Sequence, residues 1–258
     1  MSSSTSSSSA AEDTTSGVDI PGNLKEVNSR VESACKDAGR SVDEVRLVAV
    51  SKTKPLSFIE EAYACGQRVF GENYAQELEE KAKQMGENEK YANDIQWHFI
   101  GGLQSNKAAK LVKNVLPYGK LVVETVNSEK VANKLDNAMT NNFNDEQLLD
   151  IFVQVNTSGE ESKSGVSIDE SIELCKHVIQ NCKRLNLKGI MTIGAPGDVD
   201  CLESLGKCRE LVADALSLNP LDIELSMGMS GDFENAIAKG STNVRVGSTI
   251  FGQRDYSK

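Results

Sequence analysis

The sequence predicts an α/β fold, a single closed (β/α)8 barrel, on three observations. Eight short strand candidates can be read along the chain, a helical stretch follows each of the first seven, and several strands are near-continuous apolar runs. Such runs suit a parallel sheet covered on both faces. Eight units over about 240 residues match the size of a barrel. A doubly wound open sheet is the competing architecture, and the lack of G-x-G-x-x-G after the first strand counts against its dinucleotide-binding form.

The elements follow in order. Residues 26–40 carry apolar and small side chains at helical spacing and end near Gly39. "VRLVAVS" is a strand, and 57–66 a helix stopped by Gly66. "RVFGE" is a short strand, followed by a helix of mixed charge over 74–85. "IQWHFIG" and "KLVVETV" are strands, each followed by a helix, over 106–116 and over 128–140; Ser128 caps the second of these helices. "DIFVQVN", "LKGIMTIG" and "DIELSMG" are strands, with helices over 168–182, 202–216 and 232–240. "NVRVGST" is the last strand.

Composition narrows the function. The 258 residues carry a net charge of −10, so the chain offers no global attraction to nucleic acid or to an anionic membrane surface. No apolar run is long enough to span a bilayer. The six cysteines form no C-x-x-C pair, which leaves zinc and redox motifs unsupported. Cys175/Cys182 and Cys201/Cys208 are each seven apart in helical stretches, a rise of about 10 Å, too far for a bridge. All six are expected as thiols in a cytosol-like compartment. Residues 1–17, "MSSSTSSSSAAEDTTSG", cannot bury enough apolar area to order, so a disordered tail is expected ahead of a barrel over 18–258. A transit peptide is the rival reading of that tail; its serines fit, its lack of Arg and its two acids do not.

In a barrel the chemistry sits where the strands end. After the strands come Lys52, then Glu72 and Asn73, then Gly101 and Gly102, then Thr125, Asn156 and Gly194, and the seventh and eighth carry "SMGMSGD" and "VRVGST". Those last two glycine and hydroxyl clusters stand where such barrels bind phosphate, since small residues let backbone N–H groups approach an anion. Closing the barrel brings strand eight beside strand one, and so Arg245 towards Lys52. Partial burial and a neighbouring cation both favour a neutral, nucleophilic amine. A reactive amine beside a phosphate cradle points to Schiff-base chemistry with a phosphorylated aldehyde or ketone. Pyridoxal 5′-phosphate (PLP) is one such partner, and a sugar phosphate in a class I aldolase is another. Lys54, two residues on, is the competing amine.

The segments "VAVSKTKP", "FGENYAQE", "WHFIGGLQSNK", "NTSGEESKSG", "GIMTIGAP" and "LSMGMSGDFENAIAKGSTNVRVGSTIFGQRDYS" together closely resemble the pyridoxal phosphate homeostasis proteins, relatives of the alanine racemase N-terminal domain. The resemblance runs from about residue 20 to the last residue. It implies one PLP-carrying barrel of the racemase N-terminal type, without the racemases' C-terminal β-domain. It implies a role in intracellular PLP storage, delivery or balance, with no established turnover. It makes Lys52 the lysine joined to PLP as an aldimine, Arg245 the residue facing the pyridine nitrogen, and Ser230, Gly247 and Ser248 the phosphate cradle. Asn73 and Met227 resemble positions lining the cofactor, which the strand-end reading alone does not reach. PLP-requiring apo-enzymes are the implied partners, and a cytoplasmic monomer is expected. An active PLP-dependent racemase-type enzyme and a Schiff-base aldolase are the alternatives.

Other residues have blander readings. His98, within a strand, is expected packed and hydrogen-bonded rather than acting as a base. His177 is expected at a helix surface. Trp97 and His98 alternate, so one faces the barrel interior and the other the helices. Lys107 and Lys110 lie near a helix start and are expected on a solvated face rather than at a second phosphate site. The run "ELEEKAK" reads as a solvated helix face laced by i,i+4 charge pairs.

Overall fold

The computed structural model describes residues 17–88, 90–91, 94–160, 164–194 and 197–253. The tail expectation falls, but for Gly17, outside these residues. A leading helix, α1 (Ile20–Asp37), precedes eight strand–helix units. These are β1 (Arg46–Val50) and α2 (Leu56–Ala64), β2 (Val69–Glu72) and α3 (Ala75–Gly86), β3 (Gln96–Phe99) and α4 (Ala108–Val115), and β4 (Lys120–Val126) and α5 (Glu129–Asn142). They continue with β5 (Leu149–Gln154) and α6 (Ile168–Asn181), β6 (Leu185–Met191) and α7 (Val199–Leu216), β7 (Glu224–Met229) and α8 (Phe233–Ala238), and β8 (Asn243–Val246) and α9 (Ser248–Phe251).

The strands form a closed parallel barrel in sequence order. The seam is in register, with Val48 opposite Arg245 and Ala49 opposite Val246. The fold class read from the sequence is therefore the one observed. Several boundaries shift, and two of the shifts bear on the site or the fold. The first helix begins at Ile20 rather than Glu26, because the Asp19 side chain accepts from the Gly22 N–H at 2.9 Å and Pro21 stands in the first turn. The last strand stops at Val246, and Ser248 opens a short helix instead of extending it. Ser128 caps α5 as expected, accepting from the Val131 N–H at 3.3 Å.

Strand parity divides the side chains into two layers. Ala49, Phe70, Trp97, Val123, Ile151, Leu225 and Val244 point out and meet the helices in the main core. The helices supply matching stripes, as Ala108, Leu111, Val112 and Val115 do on α4. Each such Leu or Val contributes roughly 1.5–3 kcal/mol on burial. Inside the ring, Val122, Phe152 and Met191 form a separate small apolar plug. His98, Glu124, Ser226 and Arg245, all buried, add a polar layer. Trp97 and His98 thus divide between helix layer and interior, as alternation requires.

All six cysteines are free, and five are buried. Burial pushes the Cys175 thiol up to about 12, the chemistry of a packed rather than reactive sulfur. Among the described residues no helix is long and apolar enough to cross a membrane.

Candidate functional site at the strand ends

A cavity of about 290 Å³ opens at the C-terminal mouth. Its lining includes Lys52, Lys54, Asn73, Met229, Ser230, Arg245, Gly247 and Ser248. Six of the seven sequence-derived cofactor residues are therefore brought together in one place. The seventh, Met227, is not part of the lining: its side chain is fully buried in the main core. Strand parity is the reason: Leu225 points out and Ser226 in, so Met227 points out again. The register of β7 against β8 shifts between Ser226 and Met229, and Gly228 there has φ +91. That left-handed residue breaks the alternation. Met229 lines the cavity instead.

Lys52 stands in a tight turn. The Ser51 N–H continues the ladder to the Gly71 carbonyl at 3.0 Å, and the Lys54 N–H closes back on the Ser51 carbonyl at 3.1 Å. Thr53, third in that turn, has φ +62, rare for a β-branched residue. Lys54 is tied down as well, its Nζ donating to the Gln253 carbonyl at 2.9 Å.

On the opposite side, Asp232 holds the loop after β7. Its Oδ1 accepts from the Met229 N–H at 2.6 Å and its Oδ2 from the Gly197 N–H at 3.3 Å. Ser230 Oγ accepts from the Gly247 N–H at 3.1 Å, which joins the two small-residue loops and leaves the hydroxyl proton to donate. A Cβ at Gly247 would come within 3.1 Å of the Val50 carbonyl. The small residue keeps this wall of the cavity low.

Arg245 is 4% exposed, and its guanidinium donates to Ser226 Oγ and to the Thr192 carbonyl, each at 2.7 Å. Ser226 is in turn hydrogen-bonded to Glu124 Oε2, and His98 Nδ1 to Glu124 Oε1. Burial pushes the Glu124 carboxyl up, but the His98 hydrogen bond and charge, with Arg245 and Ser226, more than reverse it, so it lies below its ordinary value. Burial pulls Arg245 down against the opposing charges of Glu124 and Asp232. Sequence reasoning missed Glu124 and Ser226. The available signal was a lone carboxylate in the apolar strand "KLVVETV", at the same parity as the interior Val122.

The remaining candidates fall elsewhere. His98 does not line the cavity and is packed and hydrogen-bonded, as read from its strand position. His177 is half-buried rather than at the surface, because Asn133 on α5 meets its Nε2 at 2.8 Å. Lys107 and Lys110 lie on an exposed stretch, with Lys110 paired to Glu79 at 3.1 Å. The reading of "ELEEKAK" as wholly solvated is corrected. Lys81 is 7% exposed, because its Nζ turns inward to Glu72 Oε1 at 2.7 Å.

The lining fits a phosphorylated aldehyde. Among the described residues it holds three basic side chains, Lys52, Lys54 and Arg245, and no carboxylate. Asn73 Oδ1 is buried without a hydrogen-bond partner among the described residues. Primary amines, hydroxyls and glycines converge on one space of small-molecule size.

Comparison with known proteins agrees with this geometry. Residues 23–255 match the profile of the alanine racemase N-terminal domain. The human pyridoxal phosphate homeostasis protein is 45% identical over 249 residues, covering 91% of this chain and 86% of that protein. A crystal structure of a protein from Bifidobacterium adolescentis superposes with a TM-score of 0.78 at 35% identity, covering 90% of this chain and 94% of the other. PipY of Synechococcus elongatus, solved with PLP bound, superposes with a TM-score of 0.71 at 30% identity, covering 90% of this chain and all of that one. A profile that spans nearly the whole barrel, and a relative this similar over nine-tenths of the chain, place the protein in the pyridoxal phosphate homeostasis protein family, with the barrel of the alanine racemase N-terminal domain.

Proposed function

We propose that this chain binds PLP at the barrel mouth and serves in PLP homeostasis as a non-catalytic carrier. One observation carries the reading: a cavity lined by Lys52, Lys54 and Arg245, with no acid among the described residues, in which Ser230 and Gly247 join two small-residue loops. The cofactor's aldehyde, when bound, is an electrophilic carbon that condenses reversibly with an amine and releases one water. Lys52 is the amine assigned to that condensation. Ser230, Gly247 and Ser248 are assigned to the phosphate, and Asn73 and Met229 to the flanks of the ring.

Arg245 faces the pyridine nitrogen in this reading. A guanidinium donates hydrogen bonds and keeps its proton, so it does not protonate the ring. A ring left unprotonated withdraws electrons weakly, which disfavours carbanion chemistry on bound amino acids. The free thiols support a reducing compartment. A monomer is the proposed working state, with apo-enzymes that require PLP as recipients.

The test is direct. The protein incubated with PLP develops visible absorbance, borohydride bleaches it, and mass spectrometry finds a pyridoxyl group on Lys52. Lys52→Ala abolishes the band. A band that persists in that variant would refute the assignment. Sustained racemisation or transamination of amino acids by the loaded protein would refute the carrier reading.

A further inference from the structure

Behind the cavity, on the outer face of the ring, lies a buried charged cluster that no part of the binding site uses. Lys81 of α3 reaches inward, and its ammonium donates to three acceptors. They are the Ser51 carbonyl at 2.8 Å, Glu72 Oε1 at 2.7 Å and Glu77 Oε1 at 2.6 Å. Glu72 Oε1 also accepts from the Ser51 hydroxyl at 2.7 Å. Glu77 Oε1 also accepts from the Thr53 N–H at 2.6 Å. The residues before and after Lys52 are therefore both tied to this cluster, Ser51 to Lys81 and Glu72 and Thr53 to Glu77.

A lysine inserted between a barrel wall and a helix is costly to desolvate, and here all three of its protons are matched. The cluster also accounts for Thr53. A β-branched residue held at φ +62 persists only where its surroundings over-determine it. Here the Thr53 N–H is fixed by a carboxylate of α3, and the turn's first carbonyl by the ammonium beside it.

We propose that Lys81, with Glu72 and Glu77, is a positioning element that holds the Ser51–Lys54 turn in the conformation presenting Lys52 to the aldehyde. The inference rests on the functional reading above. The clamp touches neither the Ser230–Gly247 loops nor Arg245, so it acts on the amine and not on the phosphate. Lys81 is a positioning residue, acting through the backbone of Ser51 and Thr53.

Two ligands separate the roles. PLP carries the aldehyde; pyridoxine 5′-phosphate has the same ring and phosphate but an alcohol that cannot condense. Both are titrated into cofactor-free wild type, Lys81→Met, Glu77→Ala and the double variant Lys81→Met/Thr53→Gly. Lys81→Met is expected to weaken PLP about tenfold or more and to leave the alcohol within about twofold. Glu77→Ala is expected to act in the same direction by about three- to tenfold. Glycine adopts positive φ freely, so the double variant is expected to regain about threefold or more of the lost PLP affinity. Parallel losses for both ligands would show a general structural role and overturn the proposal. So would PLP affinity unchanged in both single variants. Should Lys81→Met lack a cooperative melt, Glu77→Ala decides alone, and unchanged PLP binding there overturns the clamp. A wild-type chain that binds the alcohol but never condenses with PLP would instead refute the function assigned to Lys52, and the clamp with it.

Discussion

Ser226 on β7 is a one-way link for Arg245 on β8: its hydroxyl accepts from the guanidinium at 2.7 Å and donates its own proton to Glu124. The interior cation and the interior carboxylate are thus joined through one hydroxyl, with His98 on the far side of the carboxylate. In a dry interior both charges depend on that link. The floor of the cavity is a hydrogen-bonded unit rather than a single arginine.

Ser226→Ala therefore removes one donor and one acceptor between two buried ionised groups. Each is left short of a partner, and the expected loss is roughly 1.5–3 kcal/mol of unfolding free energy. Urea denaturation of the cofactor-free protein measures it. A loss below about 0.5 kcal/mol, within the range of an ordinary surface change, would mean the link carries nothing.

Glu72 should give the protein a pH dependence of opposite sign to most carboxylates. Burial pushes its pKa from 4.5 to about 6, against the lowering charge and hydrogen bond of Lys81 and the hydrogen bond of Ser51, with Glu77 adding to the rise. Below the unfolded value both states hold the proton, and this group's contribution to stability is fully present. As pH rises through the window to about 6, the unfolded chain ionises first and the contribution is lost. The span corresponds to about 2 kcal/mol. Glu72→Gln should flatten that part of the stability–pH curve measured by denaturant melts between pH 4 and 7. An identical slope in variant and wild type would show that Glu72 titrates normally.

Gly101 is fixed by a close approach to the site. A Cβ there would lie 1.8 Å from the Asn73 carbonyl oxygen, a backbone atom with no side-chain freedom to yield. The Thr125 hydroxyl donates to the Gly101 carbonyl at 2.6 Å and holds it in place. Gly101→Ala must displace the β2 end that carries Asn73. It is expected to cost roughly 1–3 kcal/mol and to weaken PLP binding as well. Thermal melts and a PLP titration check both, and a variant with wild-type affinity would mean Asn73 is not a cofactor contact.

How much of this was legible in the sequence differs by element. The barrel was legible because strand parity and helix stripes are local signals, and "KLVVETV" or "AAKLVKNV" carry them within one element. That Lys52, Arg245, Ser230 and Gly247 share one cavity was legible because they sit at strand ends, which a closed barrel gathers at one mouth. Lys81 was not. Glu77 and Lys81, four apart, have the pattern of a solvent-exposed ion pair. Only the orientation of α3 shows that Lys81 flanks the buried Leu78, Ala82 and Met85 stripe, facing Glu72 across the layer. Glu124 was missed for the reverse reason: its hydrogen-bond and charge partners lie on three other strands, out of reach of any pattern within β4.

Met227 and Met229 offer the sharpest separation of core from site, since they lie two residues apart on one strand. Unbroken alternation would give them the same facing. Parity after Leu225 and Ser226 puts Met227 in the helix layer, and the register shift with the left-handed Gly228 turns Met229 to the cavity. Met227→Ala should then behave as a core truncation, costing roughly 2–5 kcal/mol while changing PLP affinity little at temperatures where the protein stays folded. Met229→Ala should do the opposite, lowering PLP affinity by about three- to tenfold through lost packing against the ring, with under about 1 kcal/mol of stability lost. Denaturant melts and PLP titrations on the two variants form a crossed pair. If Met227→Ala weakened PLP while Met229→Ala did not, the cofactor would lie against the wrong face of β7 for the cavity described, and the assignment of its flanks would have to be reversed.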